Sequence, residues 1–275
     1  MNIVVTGSST GIGRALVKRL LGSGHCIWGI ARSVQSANEL PTTGSFNSSC
    51  CDVAEYDQLS EVASKVAESW PSVDGLVCCA GSQGEIGRAV RANPSRWSAT
   101  VRANLDGTFN SIRAFHGLVS HAPRRAKIIC FSGGGATKAR ANFSAYGVSK
   151  TAIVRLVETI AEEESQAALD INAIAPGAIA TRLTDEVIAL GPQVAGQAEY
   201  DAATKQKAGG GASIERALDL VEWLLSEASD GITGRLISAP WDPWQSLAGH
   251  AKAISKGDVY KLRRIIPDDR GMKIT

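Results

Sequence analysis

The opening segment restricts the fold of this chain more than any other. Ile3 to Thr6 form an apolar run ended by Gly7. Thr6-Gly7-Ser8-Ser9-Thr10-Gly11-Ile12-Gly13 then leads into Arg14 to Leu21, whose apolar residues recur at helical spacing. A doubly buried strand, a glycine turn and a helix form the context a dinucleotide-binding loop requires. Glycines let the backbone approach a pyrophosphate, and the helix N-terminus supplies unpaired N–H groups and the positive end of its dipole. Gly7, Ser9, Thr10, Gly11, Ile12 and Gly13 are therefore candidate cofactor contacts. A tight turn would use glycines too, but the strand before and the helix after weigh toward a nucleotide site.

The run Cys26 to Ala31 reads as a second parallel strand, and its end selects the cofactor. An acid about 20 residues beyond the glycine loop binds the ribose 2′-hydroxyl of NAD, whereas an arginine accommodates the 2′-phosphate of NADP. Here Arg32 and Ser33 follow the strand, and no acid occurs before Glu39. A guanidinium grips a phosphate through two parallel bonds, so NADP(H) is the expected cofactor.

Strands and helices then alternate. Phe46 to Cys51 is a weak third strand leading to Asp52 and Val53. Asp52 either meets an adenine edge or caps the helix that starts near Glu55 and runs over Tyr56 to Ser69. Asp74 to Cys79 is a fourth strand, with Ala80 and Gly81 in its turn, and a long helical stretch around 95–120 carries Asn104 in its middle. Ala126 to Ser132 is a fifth strand running into Gly133-Gly134-Gly135, and a helix from Ser144 extends to about Ser165. Leu169 to Ala175 is a sixth strand, closed by Pro176-Gly177-Ala178-Ile179-Ala180-Thr181. A helix over Ile214 to Glu227 and a strand over Gly234 to Ala239 complete the pattern, which describes an α/β fold with a doubly wound, Rossmann-type parallel sheet. Residues 1–239 read as one domain, with 240–275 as a C-terminal extension. Within the domain, 182–212 lacks a strong core pattern and is punctuated by Gly191-Pro192 and Gly209-Gly210-Gly211, as in a lid or substrate-binding segment.

Tyr146 and Lys150 stand four residues apart at the head of an apolar-periodic helix, so both side chains leave one face. A phenol beside an ammonium is an acid/base pair, because the positive charge favours the phenolate. The same spacing also occurs on solvated helix faces, so the pair alone decides little. Composition excludes other classes. Charged residues make up 20% with a net charge of +2, which offers no broad footprint for nucleic acid or membrane. The six cysteines lie mostly in apolar stretches and read as small buried hydrophobes in a reducing compartment, without metal-ligand spacing. No run of about 18 apolar residues or signal-like start is present, so a cytoplasmic location is expected.

In order and spacing, these motifs resemble the short-chain dehydrogenase/reductase family. The motifs are Thr-Gly-x-x-x-Gly-Ile-Gly at 6–13, Asp-Val at 52–53, Ala-Gly at 80–81, Asn-x-x-Gly at 104–107, Tyr-x-x-x-Lys at 146–150, and Asn-Ala-Ile-Ala-Pro-Gly at 172–177 with Thr181. The resemblance implies hydride transfer between NADP(H) and a small-molecule carbonyl or secondary alcohol. Tyr146 would be the general acid/base, and Lys150 would hold the nicotinamide ribose and depress the tyrosine pKa. Asn104 would hold a water linking Lys150 to solvent. Pro176, Gly177, Ile179 and Thr181 would lie along the nicotinamide. A homodimer or homotetramer through the helices of Asn104 and Tyr146 is also implied.

Three departures stand out. Cys78 and Cys79 replace an expected Asn-Asn pair, of which the second normally braces the sheet. The substrate-orienting serine, thirteen residues before the tyrosine, is Gly133, which leaves Ser132 one residue earlier as the candidate if the glycines permit a bulge. Finally, Trp241 and Trp244 among prolines replace the family's usual ending; such residues more often anchor a tail than bind sugar. Arg182, Asp185, Glu186, Gln193, Gln197 and Tyr200 make the lid segment polar enough for a sugar or other polyhydroxylated substrate. Alternative readings are a non-catalytic NADP-binding sensor and, less favoured, a nucleotide-sugar epimerase or dehydratase.

Overall fold

The structure is a computed structural model that describes residues 1–33 and 39–273. Seven strands form one parallel sheet in the order β3-β2-β1-β4-β5-β6-β7. They are β1 (Asn2–Thr6), β2 (Cys26–Ala31), β3 (Phe46–Cys50), β4 (Gly75–Cys78), β5 (Ala126–Phe131), β6 (Leu169–Ala175) and β7 (Leu236–Ser238). The helices are α1 (Gly11–Gly22), α2 (Tyr56–Ser69), α3 (Pro94–Val101), α4 (Gly107–Ser120), α5 (Ser144–Glu163), α6 (Arg182–Ala195), α7 (Gln197–Lys205), α8 (Ile214–Leu225) and α9 (Ala251–Lys256). The doubly wound sheet expected from the sequence is present, and its order reverses between β1 and β4, the place where such sheets bind ligands.

Alternation along the central strands explains the three layers. Val4, Leu76 and Ile128 face one apolar layer with Leu59 of α2, Phe115 of α4 and Ile153 of α5. Ile3, Val5, Val77 and Ile129 face the other, with Leu16 and Leu20 of α1 and Leu220, Val221 and Leu224 of α8. Both faces of the parallel sheet are thus dry, which is why its strands read as continuous apolar runs. The weak third strand is the exception: Phe46–Cys50 lies at the sheet edge, and Asn47, Ser48 and Cys50 are exposed.

Two helical segments differ from the expectation. The stretch around 95–120 is α3 and α4 joined by a π-helical turn over Arg102–Asp106, which holds Asn104 fully buried. Segment 182–212 is largely helical, with α6 and α7 separated by a break at Gly196 and followed by a π turn over Gln206–Gly210. Their core contacts are few: Val187, Ala195 and Ala203 pack with Ile86, Phe143 and Tyr146. Gly191, at φ 72°, and Pro192 break α6 inside the segment and disguise it as a loop in the sequence.

The extension beyond residue 239 folds back onto the chain; its last two residues lie outside the described ones. Trp244, Leu247 and Ile254 join the α1/α8 layer, whereas Trp241 is exposed. Leu236 of the edge strand β7 donates its N–H to the carbonyl of Tyr260 at 2.9 Å. Buried Arg235 donates to the carbonyls of Ile254, Gly257 and Val259 at 2.6, 3.0 and 3.0 Å. One guanidinium therefore gathers three turns of the return, and Arg235→Met leaves three carbonyls, that of Ile254 buried, without their donor. We expect a loss of about 2–4 kcal/mol in urea unfolding, with the cofactor cleft intact.

Candidate active site

The cleft opens at the carboxyl ends of the central strands. Its floor is the glycine loop, and the packing there admits no side chain: a Cβ on Gly13 would lie 2.2 Å from the Gly7 carbonyl oxygen, and one on Gly7 would lie 2.7 Å from the Ala80 nitrogen. Gly7 also holds φ 71°, a left-handed conformation that glycine adopts without strain. This closeness sets the N-terminus of α1 beside β1 and β4. Thr10 makes no side-chain cap there and the first turn carries no acid, so the positive end of the helix dipole faces the cleft without a capping side chain. Such a terminus suits an anion.

Most of the candidate cofactor residues meet at this cleft. Gly7, Ser9, Thr10, Gly11, Ile12 and Gly13 line it at one end, with Arg32 and Ser33 from the end of β2 and Asp52 and Val53 after β3. Ala80, Gly81, Ser132, Tyr146, Lys150, Pro176 and Thr181 line the other end. Asp52 does not cap α2; its carboxylate accepts the N–H of Ala54 at 3.0 Å, and the residue before α2 is Glu55. Gly177 takes φ 94° in the turn after β6, and Ile179 packs into the apolar layer of α1 and α8 instead of lining the cleft. Ser82, Ala103 and, from α6, Arg182, Leu183 and Glu186 complete the wall.

Tyr146 and Lys150 occupy successive turns of α5, both buried. The Lys150 ammonium donates to the Phe131 carbonyl at 2.8 Å and lies 5.7 Å from the centre of the Tyr146 ring. Asn104 stands behind the lysine, outside the cleft lining. Its Oδ1 accepts from the Ser82 N–H at 2.8 Å, and its Nδ2 donates to the Ser82 carbonyl and to the Ser149 hydroxyl at 3.0 and 3.1 Å. A Cβ on Gly81 would meet Asn104 Oδ1 at 3.0 Å and Lys150 Nζ at 3.4 Å, so the glycine turn lets these groups converge without displacement.

The end of β5 shows what the glycine run does. Ser132 is buried and donates its hydroxyl to the Lys150 carbonyl at 3.1 Å. Gly133 is the residue that faces the phenol: a Cβ there would lie 2.5 Å from Tyr146 Oη. Beside the ring stands an arginine, held by two further polar residues, that sequence reasoning did not find. The Arg140 guanidinium lies 5.8 Å from the Tyr146 ring centre, and it binds Glu199 of α7 and Gln83 of the β4–α3 connection. Separations of 57 and 59 residues leave no sequence signal for these contacts.

Burial pushes the Tyr146 phenol up from its ordinary range, and the Arg140 charge pulls it back. Burial likewise pushes the Lys150 ammonium down to about 8, opposed by the nearby thiols of Cys79, Cys130 and Cys78. Burial also raises Cys79 to about 12, against Lys150 and the Gly13 N–H. A buried lysine that ionises near neutrality can hold a ribose and respond to charge on its neighbour.

The family of short chain dehydrogenases matches the chain over residues 1–189. The protein is similar to the short chain dehydrogenase mpl6 of Monascus purpureus, 29% identical over 96% of this chain and 88% of that one. It is also similar to the 3-oxoacyl-(acyl-carrier-protein) reductase FabG of Thermotoga maritima, 25% identical over 85% and 94% of the two chains. The fold is shared with the aldohexose dehydrogenase of Thermoplasma acidophilum, with a TM-score of 0.74 and 24% identity over 86% and 91%.

The buried lysine has a consequence for stability. Between about 8 and 10.5 the unfolded chain keeps a proton that native Lys150 has released, so stability rises with pH across that window. At about 1.4 kcal/mol per unit the effect is on the order of 3 kcal/mol. Lys150→Met should remove this slope, and should be the more stable protein at pH ~7, in urea unfolding read at both ends of the window.

Proposed function

Because the chain belongs to the short-chain dehydrogenase family, we propose that it is an NADP(H)-dependent oxidoreductase that interconverts a carbonyl and a secondary alcohol on a small molecule. The observation that carries this reading is convergence. The glycine loop at the end of β1 with its uncapped helix, the arginine after β2, and the Tyr146/Lys150 pair all line one cleft.

The uncapped N-terminus of α1 fits a pyrophosphate, and Lys150 and Tyr146 lie where a nicotinamide ribose would end. When bound, the cofactor supplies or accepts a hydride at its C4. Tyr146 gives a proton to the carbonyl oxygen in reduction and takes it back in oxidation. Lys150 donates hydrogen bonds to the ribose and stabilises the phenolate that Tyr146 leaves behind. Asn104 holds the Ser82 turn and Ser149 in place around the lysine, on the side from which a proton would return. Burial among the helices of the cleft excludes water from the reacting atoms.

NADP(H) is favoured over NAD(H) by the corner after β2. Glu39, the first carboxylate beyond Arg32, is paired with Arg14 at 2.8 Å. Among the described residues, no acid stands where a ribose 2′-hydroxyl would need one, while Arg32 lines the cleft. A polyhydroxylated substrate is favoured by Arg182 and Glu186 in the wall. Exposed Phe109 on α4 and Val148 on α5 support a homodimer or homotetramer through these helices.

Two variants test the reading. Arg32→Ala should weaken NADPH about 10- to 100-fold and leave NADH nearly unchanged, read by quenching of tryptophan fluorescence. Tyr146→Phe should leave NADPH binding in place and lower turnover of a screened carbonyl substrate by about 100-fold or more. Turnover that survives this change would sink the mechanism.

A further inference from the structure

We propose that Arg140 is a positioning residue that ties the seating of α6 and α7 to the acidity of Tyr146. The inference rests on Tyr146 being the acid/base and begins from a gap in its surroundings. Gly133 offers the phenol no hydroxyl, and Ser132 spends its own on the Lys150 carbonyl. Besides Lys150, the charged group that stands beside the ring is Arg140, which comes from the connection between β5 and α5.

Three walls hold the guanidinium. Glu199 of α7 takes it in two parallel bonds, to Nε at 2.9 Å and Nη2 at 2.7 Å. Gln83 Oε1 accepts from Nη1 at 3.4 Å. The Phe143 ring lies under Cζ at 3.8 Å, a stacking distance for a planar cation. The same connection is tied to α6 a second time, since Asn142, at φ 67°, donates its amide to the Ala195 carbonyl at 3.1 Å. Around these polar ties, Val187, Ala195 and Ala203 of α6 and α7 pack on Phe143 and Tyr146. The guanidinium can stand here only while α7 brings its carboxylate down.

Every charged neighbour of the phenol has an assigned direction. Lys150, on the same helix, and Arg140, on the preceding connection, both favour the phenolate. The end of β5 contributes Ser132 and Gly133, and the β4–α3 connection contributes Gln83; none of these titrates. Helices α6 and α7 pack apolar side chains with the ring. Arg182 and Glu186 of α6, which line the same cleft, offset each other as a pair at 3.1 Å, and Glu199 acts at one remove by offsetting part of the Arg140 charge. Removing the arginine and removing the charge of its partner must therefore move Tyr146 in opposite directions, which a packing role would not do.

The test reads the ionisation of Tyr146 directly, without a substrate. The full chain is made with its four tyrosines as ortho-fluorotyrosine, which is more acidic and titrates where the fold survives. Fluorine NMR then follows each ring, and the resonance missing in Tyr146→Phe identifies position 146. Arg140→Met should raise the midpoint by about one pH unit, Arg140→Lys by less, and Glu199→Gln should lower it. A midpoint unchanged in Arg140→Met overturns the proposal, as does movement of Arg140→Met and Glu199→Gln in the same direction. Glu199→Gln is nearly isosteric, so the sign of its shift decides the matter even if Arg140→Met fails to fold. Failure here leaves turnover by Tyr146 untouched, whereas failure of the catalytic reading shows in the Tyr146→Phe turnover test.

Discussion

A lysine ammonium buried with no carboxylate partner among the described residues is the feature around which this fold is arranged. Lys150 can be held there because β5 ends at Phe131, whose carbonyl accepts the ammonium at 2.8 Å. It can be reached because α5 starts with its first turn against the cleft, and because Gly81 leaves room that a Cβ would fill. Burying such a group costs several kcal/mol. The cost is offset elsewhere, by two apolar layers that cover both faces of the parallel sheet. A chain that spends stability at one point and recovers it across a sheet is the usual relation between site and scaffold.

The scaffold was legible in the sequence because its signals are local. Each central strand is a continuous apolar run, and α2 could be bounded at Tyr56 and Ser69 from its Leu59, Val62, Ala63 and Val66. The glycine loop and the Tyr146/Lys150 spacing were legible for the same reason, since each lies within one turn or one strand–helix junction. What escaped is non-local. The π turn at Asn104 leaves no periodic trace, α6 is broken at Gly191-Pro192, and α7 buries only Ala203. The clamp on Arg140 joins three segments far apart in sequence. The anchoring of the extension by Arg235 uses backbone carbonyls, which carry no residue signature at all.

The turn after β4 shows how a departure in sequence is absorbed. Where a side-chain amide would brace the sheet, Cys79 offers a thiol that receives the Gly13 N–H and is held un-ionised by burial. Part of the bracing passes to Thr6, whose hydroxyl accepts the Ala80 N–H at 3.3 Å. Cys78 and Cys130, paired in register on β4 and β5, fill the dry space below. Thiols can fill that volume because nothing there asks for a strong hydrogen bond. The geometry of the cleft depends on how closely the backbones approach, and cysteine is small enough to preserve it.

Gly133 is a different matter, because it changes what touches the reacting group. With Tyr146 Oη only 2.5 Å from where a Cβ would sit, this backbone has no space for a serine without displacing the phenol. The phenol occupies the volume a side chain at 133 would take, and a guanidinium lies beside the same ring. The two features therefore belong together. A bare glycine leaves the ring against the wall and makes a longer-range charge useful, since electrostatic support falls slowly with distance in a buried site. That support also becomes conditional, because Arg140 is held by a carboxylate on α7, beside the helix that lines the cleft. A serine works whenever it is present, but a guanidinium held by a second helix works only when that helix is seated.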